Sequence, residues 1–210
     1  MKHALVCAVS LFLIFVVVGQ AFSQVIRRPQ IELYAGVGIP TAPESFKDYW
    51  KVGFSGHGQY VVFLRPNVGV TLGAGYERFT FDEEKVLSDA GIGPGSGVSI
   101  DAPVSILEFG IGVRPYLTPA EAPTQIFLFG MGTMNVMKWK MEISWPGGTL
   151  IVVPEDDETK MGVAVGAGVE VPAGESINLI VQGVLRIVSS DKLTGGDNLS
   201  FLGVTAGLVF

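Results

Sequence analysis

The final ten residues, Phe201 to Phe210, alternate without a break. Leu202, Val204, Ala206, Leu208 and Phe210 take every second position, with Gly203, Thr205 and Gly207 between them. A period of two is that of a β-strand with two unlike faces. One face here is apolar along its length; the other is small or weakly polar and carries no charge. A sheet with water on one side would carry charge on its second face. A strand with lipid on one side and a crowded interior on the other has no such need.

The same recipe recurs along the chain. It predicts strands at 31–39, 52–64, 68–81, 103–114, 125–137, 160–171, 176–188 and 201–210. In 160–171, Met161, Val163, Val165, Ala167, Val169 and Val171 oppose Gly162, Ala164, Gly166, Gly168 and Glu170. In 103–114, Leu107, Phe109, Ile111 and Val113 oppose Glu108, Gly110, Gly112 and Arg114. In 125–137, Phe127, Phe129 and Met131 oppose Gly130, Gly132 and Met134, and the first set is expected to face outward. Alternation then decays through Trp139 and Trp145, so 138–159 is expected as a loop. The connections alternate between long polar links and short links built on proline. Arg65-Pro66-Asn67 and Pro172-Ala173-Gly174-Glu175 are turn sequences, since proline presets φ and asparagine tolerates turn geometry.

Residues 1–23 are expected to be a cleavable signal peptide. Lys2 and His3 precede an apolar run from Ala4 to Val18, and Ala21-Phe22-Ser23 has the small-x-small form of a cleavage site. Residues 24–210 then form one domain. Cys7, the single cysteine, falls in the leader, so the mature chain is expected to have no thiol chemistry. Hydrophobic residues make up 48% and charged residues 16%, lean in charge for a soluble domain near the usual ~25%. A net charge of −6 gives no basic face for nucleic acid. Beyond the leader no apolar run reaches the ~18 residues a membrane helix needs.

An exported, apolar, alternating chain without a membrane helix spans lipid only as a closed sheet. Each backbone group left unpaired in hydrocarbon costs several kcal/mol. Eight strands close into a barrel narrow enough for side chains to fill. The fold class expected is therefore all-β, an eight-stranded antiparallel up-and-down transmembrane barrel.

Strand count, loop rhythm, leader and terminal Phe210 together resemble the small outer-membrane β-barrels of the OmpX and OmpA transmembrane-domain type. The resemblance covers roughly residues 30–210. It implies bacterial outer-membrane localisation, with both chain ends and the short turns on the periplasmic side. It also implies contact with outer-membrane lipid and lipopolysaccharide, recognition of the strand ending at Phe210 by the barrel-assembly machinery, and a monomer. A structural, adhesive or surface-interaction role follows; a narrow OmpW-like channel for small or hydrophobic solutes is the alternative, and a lipid-modifying enzyme a remote one.

The inward charges sort by height. Glu32, Arg114 and Glu170 fall near the turn ends of their strands. Glu77, Glu108 and Arg186 fall near the loop ends, with His57 close by. An isolated ion in a narrow lumen is expensive, so these residues are expected to form two ion-pair clusters that plug it. Aromatic belts are expected from Tyr116, Phe127 and Phe210 at one boundary and from Tyr76, Phe79 and Phe81 at the other, with Trp139 and Trp145 above the membrane. Ser55 and His57 share a strand face in nucleophile-and-base spacing, but no third partner accompanies them, so a polar lining is expected. The glycine-rich 91–97 stretch is broken by Pro94 and opens no helix, which excludes a phosphate loop. Glu155, Asp156, Asp157 and Glu158 are expected to be a solvated loop. No metal-ligand spacing is present, and neither a cofactor nor catalysis is expected.

Overall fold

The computed structural model describes residues 27–93, 95–174, 176–190 and 197–210, with backbone alone at 151–155. The expected leader lies outside the described residues. In chain order the elements are β1 (Gln30–Ala42), α1 (Glu44–Tyr49), β2 (Gly53–Arg65), β3 (Val68–Phe79), α2 (Glu83–Asp89), β4 (Ser99–Asp101), β5 (Val104–Pro115), β6 (Gln125–Trp145), β7 (Gly148–Pro172), β8 (Asn178–Ser189) and β9 (Asn198–Val209). Each strand of the series β1, β2, β3, β5, β6, β7, β8, β9 pairs antiparallel with the next, and β9 pairs back to β1. The sheet is thus a closed eight-stranded, up-and-down barrel. β4 stands apart from the wall, paired only to the upper part of β6.

The registers fix the barrel's shape. A walk straight across the strands from Pro40 passes Phe201, Arg186, Ala164, Met131, Gly112, Thr71 and Val61, and re-enters β1 at Gln30. That is ten residues from its start. Ten residues of stagger over eight strands tilt the strands by about 40° and give a backbone radius of roughly 8 Å. Each residue then climbs about 2.5 Å along the axis.

The outer face is apolar over the full wall. Ile31, Leu33, Leu72, Phe109, Ile111, Val163 and Leu208 are all exposed. From Leu64, Ile126 and Phe210 at the turn end to Ile39, Leu107 and Met161 at the loop end, this band is roughly 30 Å tall. Such a height fits the hydrocarbon of a bilayer. At mid-height the wall narrows. Ala35, Gly58, Ala74, Gly132, Ala167, Gly183 and Ala206, one from every wall strand except β5, point outward within about 7 Å of one another in height. The waist opens as a shallow recess of about 810 Å³ beside Tyr60, Leu72 and Phe109.

Inside, glycine makes room for large neighbours. A Cβ on Gly168 would run into the Phe127 ring and lie 2.9 Å from Gln182 Cβ. One on Gly166 would lie 2.7 Å from Phe129, and one on Gly110 2.7 Å from the Met131 methyl. His57 occupies the space over Gly75 in the same way. These inward glycines are the sockets into which β2 and β6 side chains fit.

Four expectations are corrected. First, 138–159 is not a loop: β6 and β7 run on as a hairpin, paired from Trp139 opposite Asp156 up to Trp145 opposite Gly148. Second, the links at 43–52 and 82–103 carry α1, α2 and β4. Third, the face of β6 bearing Phe127, Phe129 and Met131 points into the lumen, while Ile126, Leu128 and Met134 face out. Fourth, Tyr116, Phe127 and Phe79 belong to no belt, since all three are buried inside; Phe210 and Tyr76 do face outward. Phe81 is half-buried against the Trp50 ring, 5.1 Å away.

Candidate functional site

The lumen is filled in layers. At the turn end Arg27 sits with its guanidinium 4.4 Å from the Phe63 ring and 4.4 Å from the Tyr116 ring. Cation–π stacking of this kind seals the mouth with a cation and two ring faces. Above it, Arg114 of β5 forms a two-pronged pair with Glu32 of β1, one prong at 2.9 Å. The same guanidinium donates to Gln59 Oε1 at 2.7 Å and lies 4.4 Å from the Phe127 ring. Both charged side chains of the pair are 0% exposed. Glu170 is at this height but meets no guanidinium among the described residues. Its Oε1 accepts from Gln30 Nε2 at 3.2 Å and Asn178 Nδ2 at 2.6 Å.

The second charged layer lies toward the loop end. Arg186 of β8 reaches Glu108 through Nε at 3.2 Å and Glu77 through Nη1 at 3.2 Å. His57 Nε2 stands 3.2 Å from the same Glu77 oxygen. Glu77 makes no hydrogen bond of good angle, so it is held there by charge. Tyr34 stacks on His57 with ring centres 5.4 Å apart. Ser55 Oγ is buried without a hydrogen-bond partner, so the Ser55–His57 spacing does not become a nucleophile and base. Sequence spacing could name the charged residues but not their partners, because Arg186 finds its carboxylates on β3 and β5, across the lumen.

α1 stoppers the loop end. Its Phe46 is 1% exposed and packs on Phe79 at 5.1 Å and Trp50 at 5.6 Å, within a cluster that includes Ile106, Met137 and Phe201. Trp50 Nε1 donates to the Ala102 carbonyl at 3.0 Å, and Lys51 N to the Thr80 carbonyl at 2.9 Å, tying the first long link to the second. In the sequence Phe46 reads as part of a polar link, although Tyr49 and Trp50 follow it at i+3 and i+4, the spacing of one helix face.

Beyond the stopper the wall continues as a small three-stranded sheet of β4, β6 and β7. Lys140 pairs with Glu142 two residues on along β6 at 3.4 Å and with Asp101 on β4 at 3.5 Å. The Glu142 carboxylate beside it holds the Lys140 ammonium above its usual range. Trp139 leans on the stopper cluster, whereas Trp145 is exposed at the hairpin tip. The acidic run lies on β7: Glu158 is buried and pairs with Lys160 at 3.3 Å. Gly91, Gly95 and Gly97, all at positive φ, form an irregular link after α2, with no helix N-terminus to hold phosphate. Among the described residues no group of His, Cys, Asp and Glu is arranged to hold a metal ion.

A closed eight-stranded wall with this layered lumen matches solved outer-membrane proteins in shape. It superposes on Neisserial surface protein A with a TM-score of 0.57 at 12% identity, covering 86% of this chain and 95% of that one. It superposes on a major outer membrane protein from Thermus thermophilus with a TM-score of 0.51 at 12% identity, covering 88% and 99%. The fold is that of the small eight-stranded outer-membrane β-barrels. No family model matches the sequence, and no curated protein matches it. The architecture therefore persists where little sequence does, because a closed apolar wall over a packed lumen can be written with many side chains.

Proposed function

We propose that this chain is a non-enzymatic bacterial outer-membrane barrel whose loop end is a surface-interaction platform on a sealed post. The turn end and both chain ends then face the periplasm. Phe210 closes the strand read by the barrel-assembly machinery, and the apolar wall and its rims meet outer-membrane lipid and lipopolysaccharide. The barrel acts as a monomer.

The observation that carries this reading is the length of the β6–β7 hairpin. β6 has 21 residues and β7 has 25, where a tilted membrane strand needs about 9–11. The excess is folded: it stays paired through two register shifts between Trp139 and Glu142, recruits β4, and ends on an exposed tryptophan. Ordering such a sheet costs conformational entropy with no benefit to the wall, which fits a segment kept for contact. The two buried ion layers and the Phe46 stopper support a lumen that does not conduct.

Replacing 142–151 by a short turn tests the platform. The shortened barrel keeps the gel shift between unboiled and boiled samples, while adherence of expressing cells to epithelial monolayers falls to that of cells without the barrel. Undiminished adherence overturns the platform. Steady conductance of the wild type in planar bilayers would instead favour the narrow-channel reading.

A further inference from the structure

A pocket of about 410 Å³ opens at the turn end, lined by Arg27, Arg28, Ser176, Asn178, Val209 and Phe210 among others. It straddles the lower rim of the apolar band. On its lipid side, Phe210 is exposed and is fixed to β1 by paired backbone bonds with Ile31 at 2.8 and 3.1 Å. Directly above run Leu179, Leu208 and Leu33, partners across β8, β9 and β1 and all exposed to lipid. On its water side stands Arg28, three residues before Ile31. It lies in the link just before β1 begins at Gln30, beside the rim residue Phe210 that lines the same pocket.

The charges there leave one guanidinium unspent. Arg27 is committed to the Phe63 and Tyr116 rings and to Gln125 Oε1 at 3.4 Å. Glu170, the buried carboxylate of this end, is taken up by Gln30 and Asn178. Arg28 is exposed, and among the described residues it makes no hydrogen bond or ion pair. A guanidinium offers a planar fork that fits two oxygens of a phosphodiester. The exposed Ser176 beside it adds a hydroxyl donor.

We propose that this pocket holds the phosphodiester headgroup of one phospholipid, gripped by Arg28 and Ser176, with an acyl chain lying along Phe210 and the Leu179–Leu208–Leu33 row. The site sets a guanidinium with no partner among the described residues beside a fixed apolar track, which free phosphate cannot exploit and which a cation elsewhere on the rim does not offer.

Native mass spectrometry of the full barrel released from micelles doped with phosphatidylglycerol tests this. The wild type retains one lipid. Arg28→Gln lowers the retained fraction about tenfold, and Arg65→Gln, which removes another exposed arginine at the same end, leaves it unchanged. Excess inorganic phosphate does not displace the lipid. Equal losses from Arg28→Gln and Arg65→Gln would mean general attraction to the rim and overturn the site. Retention unaffected by Arg28→Gln, absence of retained lipid in the wild type, or displacement by inorganic phosphate would each overturn it as well. Both variants alter exposed side chains, and the gel shift on boiling checks that each is folded.

Discussion

Arg114 is the residue on which the lower lumen turns. Its guanidinium is fully buried, yet it is matched by Glu32, by Gln59 and by the face of Phe127. Taking one partner from such a pair leaves the other charged and dry, and the loss is about 3–5 kcal/mol. Arg114→Met is therefore expected to lower the unfolding free energy in urea-treated vesicles by that amount. The double variant Arg114→Met with Glu32→Gln removes both charges and recovers most of the loss. If the single variant unfolds at the wild-type urea concentration, the lower layer does not hold the barrel together. Arg186 is placed differently, between two carboxylates and an imidazole, so its removal strands more charge.

At the scale of the strand, the glycines divide into two classes that the sequence writes alike. Gly168 on β7 and Gly132 on β6 both lie in apolar-glycine alternation. Gly168 faces inward, under Phe127 and Gln182; Gly132 faces outward, with nothing within 4 Å of its would-be Cβ. Gly168→Val forces a backbone or ring shift in a filled lumen, at a cost of about 1–3 kcal/mol or more. Gly132→Val adds a side chain to the lipid-facing waist and is expected to stay within about 0.5 kcal/mol of wild type. Urea unfolding of the two variants side by side checks this, and similar losses would contradict the inward-socket account. β6 itself shows why sequence alone misplaced a face. Ile126, Leu128 and Met134 on one side are no more apolar than Phe127, Phe129 and Met131 on the other. Hydrophobicity cannot choose between them. The glycine sockets on β5 and β7 choose, since only the lumen has space cut for rings.

For the whole molecule, the outer band ties stability to depth in the bilayer. Leu72 lies near mid-height and Leu64 near the turn-end rim, both exposed on the wall. Leu72→Arg is expected to cost about 2–4 kcal/mol and Leu64→Arg about 0–1 kcal/mol, because the charge can reach water only from the rim. Folding titrations into lipid vesicles measure both. A reversed order would mean that the band does not sit in the bilayer at this height.

Much of this barrel is written in period-two alternation. One wholly apolar face per strand, paired with a face of glycine and scattered charge, requires lipid on one side and crowding on the other, and a sheet in lipid must close. The strand count and the inward placement of Glu32, Glu77, Glu108, Arg114, Glu170 and Arg186 were legible for that reason. What needed the tertiary structure was everything decided between strands. A stagger of ten residues brings Arg186 level with carboxylates on β3 and β5, and leaves Glu170 beside two amides. Alternation describes a residue's own strand; it holds no term for the offset to strands across the lumen. The raised β6–β7 hairpin and the Phe46 stopper escaped for a related reason. Above the membrane neither face must be uniformly apolar, so the period fades from the sequence while backbone pairing continues to hold the strands.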